Sequence, residues 1–340
     1  MKRLFLFCVL FCAGLAAYSQ SSEVADSKPK YRSKHTPVFQ SWKENNVFQH
    51  LDASITMGTT GIGIDIASPV GDYVQLRTGF AFMPPIHYNM TFGVQVGETK
   101  DDSKFNTLAN VLEDFTGYKV DSKVDMIGEP TYNNFKFMVD VFPFKNNKHW
   151  HLTAGFYWGN SKIGKAYNTT EDMPSLVAVG IYNKMYEKAM NREPFATIEY
   201  NGNKFRLTDD PEYQDILQEK FSSYGRMGVR IGDYKSDGSP YILEPDENSM
   251  VKAEVRVNSF KPYLGIGYGG HLIKGNEKYK VSIDCGAMFW GGTPSILTHD
   301  GTDLAKEVRN IDGKVGTYVD LIKTFKVFPV VNVRFTKTLF

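Results

Sequence analysis

Leu51-Asp52-Ala53-Ser54-Ile55-Thr56-Met57 places apolar side chains at every odd position and Asp, Ser and Thr at every even one. Successive side chains of a β-strand point to opposite faces, so this period of two describes a strand with one apolar and one polar face. Beyond Gly58-Thr59-Thr60-Gly61 the alternation resumes with its parity exchanged, Ile62, Ile64 and Ile66 now opposing Gly63 and Asp65. A side chain's face is fixed by parity, so the chain either turns back there or carries a bulge.

The same pattern recurs along the chain. After the turn Pro69-Val70-Gly71-Asp72, Val74, Leu76, Thr78, Phe80 and Phe82 oppose Tyr73, Gln75, Arg77 and Gly79. Phe135, Phe137, Val139 and Val141 oppose Lys136, Met138 and Asp140. The turn from Pro143 to Asn147 then leads into Leu152, Ala154, Phe156 and Trp158 against His151, Thr153 and Gly155, an antiparallel hairpin. Val251, Ala253, Val255 and Val257 oppose Lys252, Glu254 and Arg256, and Leu264, Ile266 and Tyr268 follow Pro262. Val281, Ile283, Cys285, Ala287 and Phe289 oppose Ser282, Asp284 and Gly286, and Val331, Val333 and Phe335 oppose Asn332, Arg334 and Thr336.

Residues 1–19 set Lys2 and Arg3 before an apolar run from Leu4 to Ala17, the pattern of a cleaved secretory signal. Cys8 and Cys12 follow Phe7 and Phe11, which argues against a lipoprotein signal. Cleavage leaves Cys285 alone, so no internal disulfide is expected; it reads as an inert strand thiol. Without Lys2 and Arg3 the chain has 37 Lys and Arg against 38 Asp and Glu, which gives no electrostatic case for nucleic acid. No later apolar stretch approaches 18 residues, so strands rather than helices would have to cross a membrane. An exported chain of alternating strands, 14% aromatic and with 30 Gly, predicts an all-β fold: an antiparallel transmembrane β-barrel of about eight strands with long, partly helical loops.

Four stretches carry a resemblance: Gly58-Thr59-Thr60-Gly61-Ile62-Gly63, Val139-Asp140-Val141-Phe142-Pro143-Phe144, Lys261-Pro262-Tyr263-Leu264-Gly265-Ile266-Gly267-Tyr268-Gly269 and Phe325-Lys326-Val327-Phe328-Pro329-Val330-Val331. With them the chain resembles the small Gram-negative (Bacteroidetes-like) outer-membrane β-barrels, a family of largely unassigned activity. The resemblance implies outer-membrane localisation and makes the terminal Phe340 part of the assembly signal. Phe340 falls on the even parity of Asn332 and Arg334, whereas the apolar face ends at Leu339. The partners expected of such a chain are outer-membrane lipid and lipopolysaccharide, the barrel-assembly machinery and an extracellular ligand of unknown identity, without nucleic acid or cofactor.

The organisation is then a signal (1–19), a flexible leader (20–48) and a barrel (49–340) with insertions at 83–133, 161–249 and 291–325. The second insertion holds a hairpin about Asn201-Gly202, a helix from Pro211 to about Phe221 capped by Asp210, and a helix over Leu176 to Met190. A further helix is expected over Leu304 to Phe325, broken at Gly313 and Gly316. One reading reverses the chain at Gly58 to Gly61 and runs a single long strand through Pro262. Eight strands result, with every short turn beside the termini and the three insertions at the other end, and this is preferred. The alternative keeps 51–67 as one bulged strand, breaks the later strand near Asn258 to Lys261 and puts the two longest loops in the periplasm.

An eight-stranded barrel leaves room inside only for side chains. The inward set comprises Arg77, Lys136, Lys252, Arg256 and Arg334 with Asp52, Asp65, Asp140, Glu254 and Asp284, beside His151. Five charges of each sign predict a lumen plugged by ion pairs. The function expected is structural or surface interaction without catalysis. Two rivals stand beside it: a narrow porin-like channel, and an outer-membrane lipid hydrolase in which Asp140 and His151 activate Thr153 or Ser282. The acidic clusters Asp233 to Gly238 and His299 to Asp303 lack calcium-loop spacing and read as solvated turns, so no metal site is expected. Trp150, Trp158, Tyr268 and Trp290 read as anchors at the membrane interface.

Overall fold

The computed structural model describes residues 47–340 apart from 99–101, 145–146, 194–197, 201–202, 206–210, 274–275, 312 and 340. The signal, the leader up to Asn46, Asp210, the Asn201-Gly202 turn and Phe340 lie outside the described residues. The chain opens with strands β1 (Asp52–Gly58), β2 (Gly61–Pro69) and β3 (Val74–Phe82). The first insertion carries β4 (Tyr88–Val96), helix α1 (Asp102–Thr116) and β5 (Lys123–Pro130), before β6 (Asn133–Val141) and β7 (Trp150–Gly159). The second carries β8 (Lys162–Asn168), α2 (Met173–Met190), β9 (Ile198–Tyr200), β10 (Asn203–Phe205), α3 (Pro211–Tyr224), β11 (Met227–Tyr234), β12 (Pro240–Leu243) and β13 (Lys252–Arg256). After β14 (Phe260–Ile273) and β15 (Asn276–Phe289) the third holds β16 (Ser295–Thr298), β17 (Val308–Arg309) and α4 (Gly313–Thr324), and β18 (Val327–Thr338) ends the chain.

Eight of these strands close into an antiparallel barrel in the ring order β1, β2, β3, β6, β7, β14, β15, β18 and back to β1. Each strand pairs with its predecessor in the meander, and closure is made by Asp52 opposite Thr338 through Gly58 opposite Asn332. The parity exchange at Gly58 to Gly61 is a reversal: Gly58 pairs with Gly61, and Gly61 adopts φ +85°, open to glycine without strain. This Thr59-Thr60 turn lies at the insertion end, so not every short turn sits beside the termini, contrary to the expectation. Strands of 7 to 14 residues form the wall. Ile64 is 62% exposed, Phe80 65% and Trp158 60%, all facing outward, while Asp65, Arg77 and Lys136 on the other parity are buried.

The expected long strand through Pro262 breaks. Residues 252–256 pair with β8 and β16 in a second sheet, and the barrel strand begins only at Phe260. That sheet runs β12-β11-β4-β5-β8-β13-β16 with β17 on β11, so it draws strands from all three insertions. The insertions are therefore one folded domain and not three loops. Its cores join Phe92, Val124, Tyr241, Leu243, Ile296 and Val308 in one cluster and Phe105, Leu112, Ala178, Tyr182 and Phe221 in another. Helix α2 is buried through Leu176 to Asn183, apolar on most sides, as a helix inside a domain must be. The Asn183 amide donates to the Met227 carbonyl and accepts from the Met227 N–H, fixing the start of β11.

The helices at Pro211 and at Met173 to Met190 and the β9–β10 hairpin match the sequence expectations, and α1 adds a helix that none of them covered. The helix expected from Leu304 instead begins at Gly313. Residues 298–303 form a tight turn held by Asp300, whose carboxylate accepts from the Thr298 and Tyr241 hydroxyls and the Thr302 N–H. Burial would raise its pKa, but these hydrogen bonds outweigh it and hold the carboxyl below its ordinary range.

Candidate functional site

The barrel interior begins with local strand chemistry. Even positions of β1, β6, β15 and β18 and odd positions of β2, β3, β7 and β14 point inward, which brings Asp65, Arg77, Lys136, Asp140, His151, Asp284 and Arg334 into one lumen, each no more than 7% exposed. Arg77 grips Asp140 bidentately, Nε and Nη2 each donating at 2.9 Å. Arg334 on β18 donates Nη1 to the same Asp140 at 3.3 Å, Nη2 to Asp284 at 3.2 Å and Nε to the Ser282 hydroxyl at 3.0 Å. Strands β18 and β6 stand four places apart in a ring of eight, so the Arg334–Asp140 contact crosses the full diameter of the lumen.

Glycines make two further pairs possible. Lys136 on β6 meets Asp65 on β2 at 2.8 Å across β3, where both stand opposite Gly79. His151 on β7 meets Asp284 on β15 at 2.6 Å across β14, where both stand opposite Gly267. A Cβ on Gly79 would lie 2.2 Å from Asp65 Oδ1, and one on Gly267 would lie 2.2 Å from His151 Nε2. Only a residue without a side chain lets a pair close over the strand between.

Toward the insertion end the lumen turns apolar. Ala81, Tyr132, Met138, Tyr157, Tyr263, Met288, Trp290 and Val330 pack into a buried cluster. Trp290 is thus a core residue and not an interfacial anchor, its indole N–H donating to the Phe325 carbonyl at 2.9 Å. Trp150, Trp158 and Tyr268 do face outward. Lys261, which the sequence reading did not place in the lumen, is fully buried beside this cluster, donating to Asn134 Oδ1 at 2.8 Å and to the Asn160 and Ser259 carbonyls. Its signal was the inward parity of β14, one position before Pro262.

Asp52 lies nearer the termini, accepting from Thr338 at 2.6 Å and Gln75 at 3.1 Å. Lys252, Glu254 and Arg256 are corrected: they belong to β13 in the insertion domain, where Lys252 pairs with Asp246 at 2.7 Å and Glu254 joins Lys162 and Arg256. The proposed Asp140–His151 couple is also corrected, because His151 pairs with Asp284 while Asp140 takes the Thr153 hydroxyl at 2.6 Å and the two arginines. Thr153 is thereby turned toward Asp140 and not toward the imidazole, and Ser282 accepts from Arg334. Among the described residues no group of three or more His, Cys, Asp or Glu is placed to hold a metal ion. Cys285 is a free thiol on the outer face.

No family model matches the chain. A search of curated proteins finds no match either. Among solved structures, CarO2 of Acinetobacter baumannii is 13% identical, with 85% of this chain and 98% of that chain covered and a TM-score of 0.36. CarO of the same organism is 14% identical, with 85% and 97% covered and a TM-score of 0.35. At this level of likeness the functional reading rests on the chain's own geometry.

Proposed function

We propose that the barrel is an outer-membrane anchor with a plugged lumen and that its insertion domain, displayed at the cell surface, carries a structural or surface-interaction role without catalysis. The observation that carries this reading is the Arg334–Asp140 contact across the lumen, backed by the apolar cluster between it and the insertion end. A conducting pore needs a continuous water path, and buried ion pairs with a packed aromatic layer leave none. The outward apolar face supports membrane placement: Trp150 and Trp158 stand eight residues apart on β7, about 26 Å along a strand, or about 20 Å of height at the usual tilt. An interfacial belt at each end of a lipid-facing band fits that height. The meander supports one side: β1 begins and β18 ends at one end of the barrel, and all three insertions leave from the other. Barrels of this kind carry long extracellular and short periplasmic connections, which supports an extracellular domain.

The test is conductance. The purified full chain, reconstituted into planar bilayers, is expected to stay electrically silent. Reproducible stepwise currents would replace the anchor by the channel reading.

A further inference from the structure

At the end that carries the termini the barrel opens into a blind vestibule of about 470 Å³, floored by Arg334 and His151. Three more imidazoles reach it, from His50 before β1, His149 before β7 and His271 near the end of β14, so four of the chain's seven histidines share this mouth. Lys148 and Lys280 line it as well. His149 donates Nδ1–H to the Gly269 carbonyl at 2.6 Å, which fixes its tautomer and leaves Nε2 as the ring's other polar atom. Glycines 71, 269 and 270 add no side chains, so the space stays open.

We propose that this vestibule binds a small divalent oxyanion of the phosphate or sulfate class, held by Lys148, Lys280 and the surrounding imidazoles above the Arg334 floor. A tetrahedral oxyanion offers acceptors in several directions at once, which suits donors converging from the β6–β7 turn, β14, β15 and the entry to β1. The supply of donors favours it: two ammonium groups and three imidazoles line the vestibule above its floor, beside the carboxylates of Asp52 and Asp72. The acids at this mouth are Asp52 and Asp72; Asp52 accepts from Thr338 and Gln75 and lies 3.8 Å from Lys280 and 3.7 Å from His50, a loose pairing that an oxyanion would have to share. Asp284 and Asp140 behind the floor are engaged by Arg334, Arg77 and His151. At His50 burial lowers the pKa below the ordinary 6.5, Asp52 opposes, and the Lys280 and Lys148 ammonium groups add to the lowering. A bound dianion would relieve the repulsion between His50 and the two ammonium groups, so affinity rises as pH falls and His50 charges. This site is independent of the surface role of the insertion domain.

The test is calorimetric titration of the detergent-solubilised full chain with sodium sulfate at low ionic strength, since sulfate keeps its charge throughout. Saturable one-to-one binding at pH 6.0 is expected, weakening at least threefold at pH 8.0. The Lys148→Gln/Lys280→Gln double variant should lose at least tenfold, and His271→Gln at an exposed position at least threefold. Lys235→Gln in the insertion domain should change nothing. A lipid head group is the other source of this chemistry, and soluble dihexanoyl phosphatidate is expected to bind no more than threefold tighter than sulfate. No saturable heat, equal losses in all three variants, or a phosphatidate preference above tenfold would each overturn a small free oxyanion as the ligand.

Discussion

Asp140→Ala is expected to cost the folded barrel about 3–5 kcal/mol, the range for removing one partner from a buried ion pair. Asp140 is completely buried and accepts two bonds from Arg77, one from Arg334 and one from Thr153. Without it Arg77 keeps only Asp65 at 3.9 Å, and Arg334 loses its contact across the lumen. The uncompensated guanidinium, and not the lost attraction, is the larger part of the cost. Denaturant unfolding in detergent, followed by the mobility difference between heated and unheated samples, measures it. A loss below about 1 kcal/mol would mean that water reaches Arg77 and that the lumen is not dry.

Ile64→Arg is expected to cost about 2–4 kcal/mol in bilayers, the range for arginine on the lipid face near the midplane. Ile64 stands in the middle of β2 and faces outward. Val111 on α1 is exposed to a similar degree, 56% against 62%, yet it belongs to the insertion domain. Val111→Arg should therefore stay within about 0.5 kcal/mol, as surface substitutions in water do. Equal costs at both positions would show that the two surfaces meet the same solvent.

Much of the barrel is legible in the sequence because a strand's faces obey parity. The reversal at Gly58 to Gly61, the hairpins at Val70 and Asn147 and the inward placement of Asp52, Asp65, Arg77, Lys136, Asp140, His151, Asp284 and Arg334 all follow from counting by twos. The same rule marks where the reading failed. Apolar residues are odd through Val257 and even from Leu264, the same exchange as at Gly58, and it marks the departure of β13 from the barrel. Taking that stretch as continuous sent Lys252, Glu254 and Arg256 into the lumen.

The insertion domain was less legible because its sheet is assembled from distant segments. Strand β11 pairs with β4, more than 120 residues earlier, and nothing local in Met227 to Tyr234 names that partner. Side-chain pairs across an intervening strand are hidden for a similar reason. His151 and Asp284 belong to strands that are not neighbours, and their only sequence trace is the inward Gly267 between them. An inward glycine flanked on both sides by ionisable residues is the feature to seek in such barrels.

In the proposed arrangement a plugged barrel holds the insertion domain on the outside of the outer membrane and the termini on its periplasmic side. A membrane-impermeant maleimide tests it most directly, in a Cys285→Ser background with single cysteines at two exposed positions: Asn248→Cys in the insertion domain and Asp72→Cys in the β2–β3 turn. Intact cells are expected to label Asn248→Cys fully, and Asp72→Cys is expected to label only after the outer membrane is permeabilised. Labelling of Asp72→Cys but not Asn248→Cys in intact cells would contradict it.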